Sequence, residues 1–285
     1  MSGPRTWDAR QYLRFEEERN RPCRDLLARV ALDRGARAID LGCGPGTSTA
    51  LLAQRWPEAE VTGLDSSEEM LTVARATSPA VRWIRADLGR WTPERPFDLV
   101  LSNATLHWIP DHPRAIPRLW RWVGDGGALA FQVPTRQRGG PRWATALREL
   151  TERPRWRRRL SGVLPRSPVL SPEEYYDLLA PAAHRVDLWD TEYEHVLDGP
   201  ASIVEWVKGA GMRPALDRLR NATERDRFVD DYTEAIARAY PTRPDGRVLF
   251  PFRRRFVVAY RGGGSQAAAN AQPPTGETGR LRPTR

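Results

Sequence analysis

Cysteine is scarce in this chain: Cys23 and Cys43 are the only two among 285 residues. Two thiols cannot build a disulfide framework, which leaves a reducing cytoplasm as the expected compartment. The four histidines are scattered and the cysteines distant from them, so no metal-ligand cluster is expected. No run of about 18 apolar residues occurs, and the opening MSGPRTWDARQYLRF has no apolar signal core. The expectation is a soluble protein with no membrane contact. Lysine is nearly missing too: Lys208 stands alone, so the formal charge of +9 rests almost wholly on arginine. A basic balance points to an anionic partner such as a nucleic acid, an anionic surface or a polyanionic metabolite. The plain alternative is that arginine replaces lysine on a solvated surface.

What the chain has in quantity is apolar and aromatic material. Hydrophobic residues make up 40% and there are eleven tryptophans, enough for a sizeable core and some pocket lining. Residues 22–33 open on Pro22 and carry Leu26, Leu27 and Val30 at helical spacing. Apolar strands at 36–41, 59–65, 80–87, 97–103 and 127–134 then alternate with helical patterns at 47–56, 67–78 and 113–123. That alternation predicts a parallel sheet with helices on both faces. After Pro134 the rhythm changes. Helices are expected at 142–165, at 171–182 behind a Ser171–Glu174 capping box, and in two stretches between 201 and 240. Strands are expected at 185–197 and 247–261. The architecture expected is therefore α/β: a doubly wound, mostly parallel seven-stranded sheet with helical cap insertions. One domain would span 1–261, its core at about 22–137 plus the two late strands, its cap at about 138–184 and 198–246. The Gly-, Pro- and Ala-rich stretch 262–285 reads as a disordered tail.

The stretch ARAIDLGCGPGTSTALLAQ (36–54) holds the chemistry. Gly42, Gly44 and Gly46 fall between a strand and a helix, where a tight backbone turn cradles a nucleotide-like ligand. Asp65 ends the second strand about 20 residues on, placed to accept hydrogen bonds from both hydroxyls of a ribose. So far NAD and S-adenosylmethionine fit equally. Asp40 separates them. A carboxylate just before the turn repels a pyrophosphate, but it attracts the α-ammonium of a sulfonium cofactor, directly or through water. Asp87, ending the third strand, suits the adenine amino group, and Asn103, ending the fourth, faces the methionine portion.

DLGCGPGTST, GLDSSEEML, ADLGRWTP and SNATLHWIPDH resemble the successive cofactor motifs of the Rossmann-like S-adenosylmethionine-dependent methyltransferases. Three flanking blocks are more specific, because they lie in the substrate half. WDARQYLRFEEERNRPCRDLL, EYEHVLDGPASIVEWVKGAGMRPALDRL and YPTRPDGRVLFPFRRRFVVA are similar to the trans-aconitate 2-methyltransferase family. The resemblance covers about residues 7 to 260. It implies methyl esterification of a carboxylate of trans-aconitate or a similar polycarboxylic acid, with S-adenosylmethionine as cofactor. Such a carboxylate is ionised at pH 7, so alignment rather than a strong base would carry the reaction.

Tyr12, Phe15 and Arg19 share one helical face and, with Trp7, form a lid over the cofactor on this reading; otherwise they are an aromatic stripe on the core. Tyr12 and Arg19 are taken as pocket residues. His107 is a substrate contact rather than a general base, and Trp108 lies beside it. Tyr193, His195, Trp206, Lys208 and Arg213 lie in the specific cap block, with Arg213 and then Lys208 as the cations for a carboxylate. In the Arg253–Arg255 run, alternate side chains face opposite ways, so at least one is solvated. The RPRWRRR run (153–159) reads as a solvated helical face. Rival activities are methylation of another small or carrier-bound carboxylate, such as a malonyl thioester, and nucleic-acid methylation. Against the latter, SNATLHW replaces the Asn/Asp-Pro-Pro-aromatic run of base-amine methyltransferases. A cofactor-binding regulator without turnover is the remaining alternative.

Overall fold

The computed structural model describes residues 15–32, 37–135, 141–164, 167–209 and 211–263. Trp7, Tyr12 and nearly all of the tail expected from 262 onward lie outside the described residues. The chain enters through α1 (Glu16–Arg29) and then alternates: β1 (Arg37–Leu41), α2 (Thr47–Arg55), β2 (Glu60–Asp65), α3 (Glu68–Thr77), β3 (Arg82–Arg85), β4 (Phe97–Asn103), α4 (His112–Trp120) and β5 (Val123–Pro134). Next come α5 (Arg142–Glu152), α6 (Pro154–Leu160), α7 (Pro172–Leu179), β6 (Arg185–Leu197), α8 (Pro200–Lys208), α9 (Arg213–Leu216), α10 (Ala222–Ala239) and β7 (Val248–Tyr260). The seven strands lie in the order β3-β2-β1-β4-β5-β7-β6. The first five are parallel, and β7 runs antiparallel to both β5 and β6.

Alternation along each strand sorts the side chains to two faces. On one face, Leu99, Leu101, Ala128, Ala130, Phe256 and Val258 pack under α1 and α2. On the other, Val100, Leu129, Phe131 and Val257 pack against Ile116 and Leu119 of α4 and Tyr175 and Leu179 of α7. A third core lies in the cap, where Leu147, Leu150, Val204, Trp206, Phe228 and Tyr232 join α5, α8 and α10 to Phe250 of β7.

Three expectations need correction. The first helix does not start at Pro22: it runs from Glu16 with Pro22 inside it. The missing proline N–H forfeits the bond to the Glu18 carbonyl, a cost that the burial of Cys23, Leu26 and Leu27 offsets. The stretch 142–165 is two helices, because Arg153 before Pro154 takes an extended backbone with ψ 146°. The third strand stops at Arg85, so Asp87 lies in the following turn rather than at the strand end. Ser67, by contrast, caps α3 as its residue type demands, accepting from the Met70 N–H.

The β6–β7 ribbon is fastened by charge. Arg255 makes two bonds of 2.9 Å to the Asp190 carboxylate and one to the Leu170 carbonyl, and Arg253 reaches the same carboxylate at 3.0 Å. The side chains of Asp190 and Arg255 are only 15% and 11% exposed. Removing the acid leaves two arginines facing each other, so Asp190→Ala is expected to lower the unfolding free energy by about 3 kcal/mol. Urea denaturation measures this, and a loss well under 1 kcal/mol would show the pair to be effectively solvated.

Candidate active site

The glycine turn sits at the carboxyl end of β1, at the edge where open α/β sheets bind ligands. Gly42, Gly44 and Gly46 all have positive φ: 71°, 56° and 91°. The amides of Gly42 and Cys43 both donate to the Leu64 carbonyl, at 2.7 and 3.1 Å, which folds the turn back onto β2. A Cβ on Gly42 would lie 2.1 Å from Thr105 Cγ2, and one on Gly46 2.9 Å from the Trp83 ring. A Cβ on Gly44 would meet nothing within 4 Å. Two glycines are thus demanded by packing, whereas Gly44 faces open space. Asp65 holds the turn from β2: its Oδ2 accepts from the Gly44 N–H at 2.9 Å and its Oδ1 from the Ser67 N–H at 2.9 Å. Asp87, exposed, accepts from the Gly89 N–H, and Arg118 clamps the Leu88 and Gly89 carbonyls beside it.

Polar residues continue along the α1 face of the sheet. Asp40 is fully buried. Its Oδ2 accepts from Ser48 and Thr49, both at 2.7 Å, while its Oδ1 has no hydrogen-bond partner. Burial pushes the carboxyl up to about 6; the two hydroxyl donors oppose that shift and Asp65 adds to it. Asn103 accepts from Gln132 Nε2 at 2.5 Å, and Gln132 Oε1 is buried without a partner. Ala104 follows with φ 53°, a left-handed conformation that a non-glycine residue adopts only where its surroundings hold it. Its amide is bonded to the Gln132 carbonyl. Thr105 then donates to the Gly42 carbonyl at 3.0 Å, tying this loop to the glycine turn.

Two residues on, the same loop becomes the wall of a cavity of about 340 Å³. His107 and Trp108 line it from β4, Thr135 from the end of β5, Phe252 and Arg253 from β7, and Trp143, Ala144, Leu147, Arg148, Trp206 and Val207 from the cap. His107 is half-buried, and burial together with the nearby Arg254 and His112 lowers it to about 3. Its Nδ1 and the Trp143 indole N–H have no partner. Behind Trp206 lies a cluster of rings and cations. Arg19 sits 4.8 Å over the Trp206 ring, Phe15 packs on it at 4.9 Å and His195 at 5.1 Å. Burial and three arginines, Arg254, Arg21 and Arg19, lower His195 to about 4.

The residues named from the sequence therefore divide. Asp40, Gly42, Gly44, Gly46, Asp65 and Asn103 gather at the turn and along the adjoining strand ends. His107 and Trp108 line the cavity, and Arg19 backs one of its walls. Tyr193 is not in the wall: it is buried under α1 and its hydroxyl donates to Asp25 at 2.5 Å. Lys208 is paired with Glu205 at 2.9 Å, and the wall contains Gly211 and Pro214 rather than Arg213. Sequence reasoning missed Thr105, Gln132, Trp143, Arg148 and the buried Arg254. Gln132 carried a signal, as the one polar residue in the apolar stretch 127–134.

Comparison with known proteins supplies the family. A methyltransferase-domain family model matches residues 38–127. The trans-aconitate 2-methyltransferase of Azoarcus sp. (strain BH72) is 49% identical over 256 residues, 90% of this chain and 99% of that protein. Its namesake from Methylobacterium radiotolerans is 48% identical, over 89% of this chain and 97% of that one. This chain belongs to the trans-aconitate 2-methyltransferase family. It is a methyltransferase, and its cofactor is S-adenosylmethionine. The fold is shared more widely. The Bacillus subtilis YcgJ protein superposes with a TM-score of 0.56 at 14% identity, covering 86% of this chain and all of that one. A Haemonchus contortus phosphoethanolamine N-methyltransferase solved with S-adenosylhomocysteine gives 0.51 at 16% identity, over 85% of this chain and 52% of that one.

The residues of this family member fit the cofactor. The open space over Gly44 admits a ligand against the backbone, and the unpartnered Asp40 Oδ1 is an acceptor awaiting a donor. Among the described residues, no group of three metal-ligating side chains is assembled, and no helix is long and apolar enough to cross a membrane. Asp40 also makes a measurable demand on the fold. Its carboxyl ordinarily titrates at 3.8 and here near 6, so between those values the unfolded chain has released the proton and the folded chain has kept it. Raising the pH through that window therefore costs the wild type stability. Relative to Asp40→Asn, the loss is expected to reach about 3 kcal/mol by pH ~6 and to stay constant above it. Denaturation of both proteins from pH 4 to 8 measures the gap; a gap that does not change with pH would mean that Asp40 titrates normally.

Proposed function

We propose that this enzyme methylates a carboxylate of trans-aconitate to give a methyl ester, in the cytoplasm. The observation that carries the reading is the path of one loop. Thr105 bonds to the glycine turn, and two residues later His107 and Trp108 form the wall of a cavity that also contains two arginines. A methyl donor held at the turn and an acid held in the cavity are thereby joined through three residues of backbone.

On this reading the cofactor lies across β1, β2 and β4. The Asp65 carboxylate would hold its ribose beside the open face of Gly44, Asp87 the adenine amino group, and Asp40 with Asn103 the amino-acid end. Bound S-adenosylmethionine supplies a methyl group on a positively charged sulfur and leaves as a neutral thioether. The chain's own residues have little proton chemistry to do, because a carboxylate with an ordinary pKa near 4 is already the nucleophile. Their work is to aim one oxygen at the methyl carbon, which can supply about 7–11 kcal/mol. They must also hold the other carboxylates and keep water out. Arg148 and Arg253 line the cavity and are the cations for those carboxylates. Arg253 shares Asp190 with Arg255, so that triad keeps one net positive charge at the wall. Arg213 lies beside Pro214 of the wall, and the charge of Lys208 is offset by Glu205. His107 is neutral at all working pH values and serves as a contact for the acid, with the Trp143 N–H as a further donor.

A test of the reaction is incubation with labelled S-adenosylmethionine and a panel of polycarboxylates, the ester being identified by mass spectrometry. With histidines at about 3 and 4 in the site, kcat is expected to be flat from pH ~7 to ~9, and His107→Gln to retain at least about a tenth of it. A loss of several orders of magnitude in this variant would instead indicate proton abstraction from a hydroxyl or amine. Arg148→Ala and Arg253→Ala are expected to raise KM for trans-aconitate about tenfold each, ~1.4 kcal/mol for these part-exposed cations, with little change in cofactor affinity. Calorimetry showing lost cofactor binding and an unchanged KM would move the acid out of this cavity.

A further inference from the structure

His112 opens α4, is 1% exposed, and has both ring nitrogens bonded. Nε2 lies 2.9 Å from the Leu106 carbonyl and Nδ1 2.6 Å from the Tyr175 hydroxyl. A carbonyl only accepts, so the ring proton is on Nε2. Nδ1 is then the acceptor, and the Tyr175 hydroxyl donates to it. Burial lowers the basicity of this imidazole, which keeps it in the neutral form that can make both bonds. Leu106 is the first residue of the single 3-10 turn, Leu106–Trp108, whose His107 and Trp108 line the cavity. Within the turn, the Trp108 N–H donates to the Thr105 carbonyl and the Ile109 N–H to the Leu106 carbonyl. So short a turn, with the weak bond geometry of its type, depends on outside support. Thr105 ties it to the glycine turn on one side, and His112 grips it on the other. Tyr175 is fully buried, edge-on to Phe131 at 5.3 Å, so its hydroxyl is held in place. Its helix, α7, starts behind the Ser171 cap, directly after Leu170, whose carbonyl accepts from Arg255 at 2.6 Å. The path from Arg255 through α7, Tyr175 and His112 to Leu106 thereby links the arginine side of the cavity to its loop side.

Resting on the reading that His107 and Trp108 meet the acid, we propose that His112 and Tyr175 are positioning residues for methyl transfer: the imidazole clamps the Leu106 carbonyl through Nε2–H, and the tyrosine hydroxyl selects the tautomer that does so. Neither side chain touches the substrate, and neither exchanges a proton during turnover. Their work is to fix how far His107 and Trp108 reach toward the methyl donor. Alignment carries this reaction, so a slack turn lowers the rate of the bound complex rather than the affinity for the cofactor.

The experiment compares two amides at position 112. The side-chain N–H of glutamine reaches the place of Nε2, whereas that of asparagine reaches only the place of Nδ1. His112→Asn is therefore expected to lower kcat for trans-aconitate at least about tenfold, with the KM for S-adenosylmethionine hardly moved. His112→Gln should keep about half of kcat or more. A role in packing against Tyr175 alone would reverse that order. Tyr175→Phe should lower kcat about threefold. It should add no further loss to His112→Gln, since a glutamine has no tautomer to select. Nitrogen-15 spectra of the histidine rings, with the His112 signals identified by their loss in His112→Gln, should show a bare Nδ1 and a protonated Nε2. In Tyr175→Phe they should show a mixture of tautomers. The His107 ring signals should shift in His112→Asn and stay in place in His112→Gln, and melting temperatures establish that each variant is folded. Equal kcat in the two amide variants, or a ring protonated on Nδ1, overturns the proposal. A wild type that leaves trans-aconitate unmethylated overturns the substrate reading alone. The His107 signals then decide the positioning: a shift in the asparagine variant only sustains it, and any other pattern overturns it.

Discussion

The site depends on the contact between Thr105 and Gly42. A side chain at position 42 would overlap Thr105, and Thr105 donates to the Gly42 carbonyl. The glycine there provides more than the freedom to adopt positive φ. It lets the loop after β4 descend onto the turn after β1, and that descent sets the distance between two binding surfaces. Methyl transfer needs oxygen, carbon and sulfur in line, and displacement by even an ångström is costly. The glycine turn and the cavity wall are joined by one short segment bonded to β5 and to the turn: Asn103 and Ala104 to Gln132, Thr105 to Gly42. The strained backbone at Ala104 fits this role, since it is where the chain leaves a strand to reach the turn.

The second half of the chain reaches the cavity through β7. Inserted antiparallel between β5 and β6, it carries three successive arginines past the site, and the pleat assigns them different tasks. Arg254, 4% exposed, turns to the α1 face with Phe252 and Tyr193, where its charge adds to burial in keeping His107 and His195 neutral. Arg253 and Arg255 turn the other way to Asp190. Burial and a nearby cation that together keep two histidines unprotonated are consistent with the proposed binding of an anion there. The positive charge stays on groups that cannot give up a proton, and the pocket potential does not drift with pH.

How much of this was legible in the sequence follows the range of the interactions. The sheet was readable because each strand–helix unit of the first half is local: apolar period, cap and glycine turn lie within a few residues of one another. Ser67, Ser171 and the strand 97–103 stand where their own neighbourhoods put them. The glycine turn was readable for the same reason, since Asp40, the glycines and Asp65 sit within one strand–helix–strand unit. The cavity wall was not. Arg213 and Lys208 lay in a suggestive block, but which cation lines the cavity is settled by the packing of α5, α8 and β7, elements far apart in the chain. Pro22 misled for a different reason. Its residue type favours a first turn, and only the apolar face continuing back to Phe15, 6% exposed against Trp206, extends the helix past it.

The arginine surplus has a structural explanation. A guanidinium can bond several acceptors in one plane and still stack on a ring, which an ammonium cannot do. This chain uses both properties repeatedly. Arg37 reaches the Pro96 carbonyl while lying 4.6 Å over Phe97, Arg261 the Trp120 carbonyl while lying 4.9 Å over that ring, and Arg142 the Ala239 carbonyl while lying 4.4 Å over Tyr240. Arg118 does the same at the Asp87 turn, bonded to two carbonyls and 5.4 Å from Trp122. Arg118, Arg142 and Arg261 each join segments that no strand pairing joins, and Arg37 reinforces the edge between β1 and β4. A high net charge is then the by-product of fastening loops with cations and tryptophans, and the +9 total is no measure of affinity for a polyanionic surface. On the proposed reading, what matters for the substrate is the few cations at the cavity wall: Arg148, and Arg253, whose triad with Asp190 and Arg255 keeps one positive charge, a number suited to a small acid rather than to a phosphate backbone.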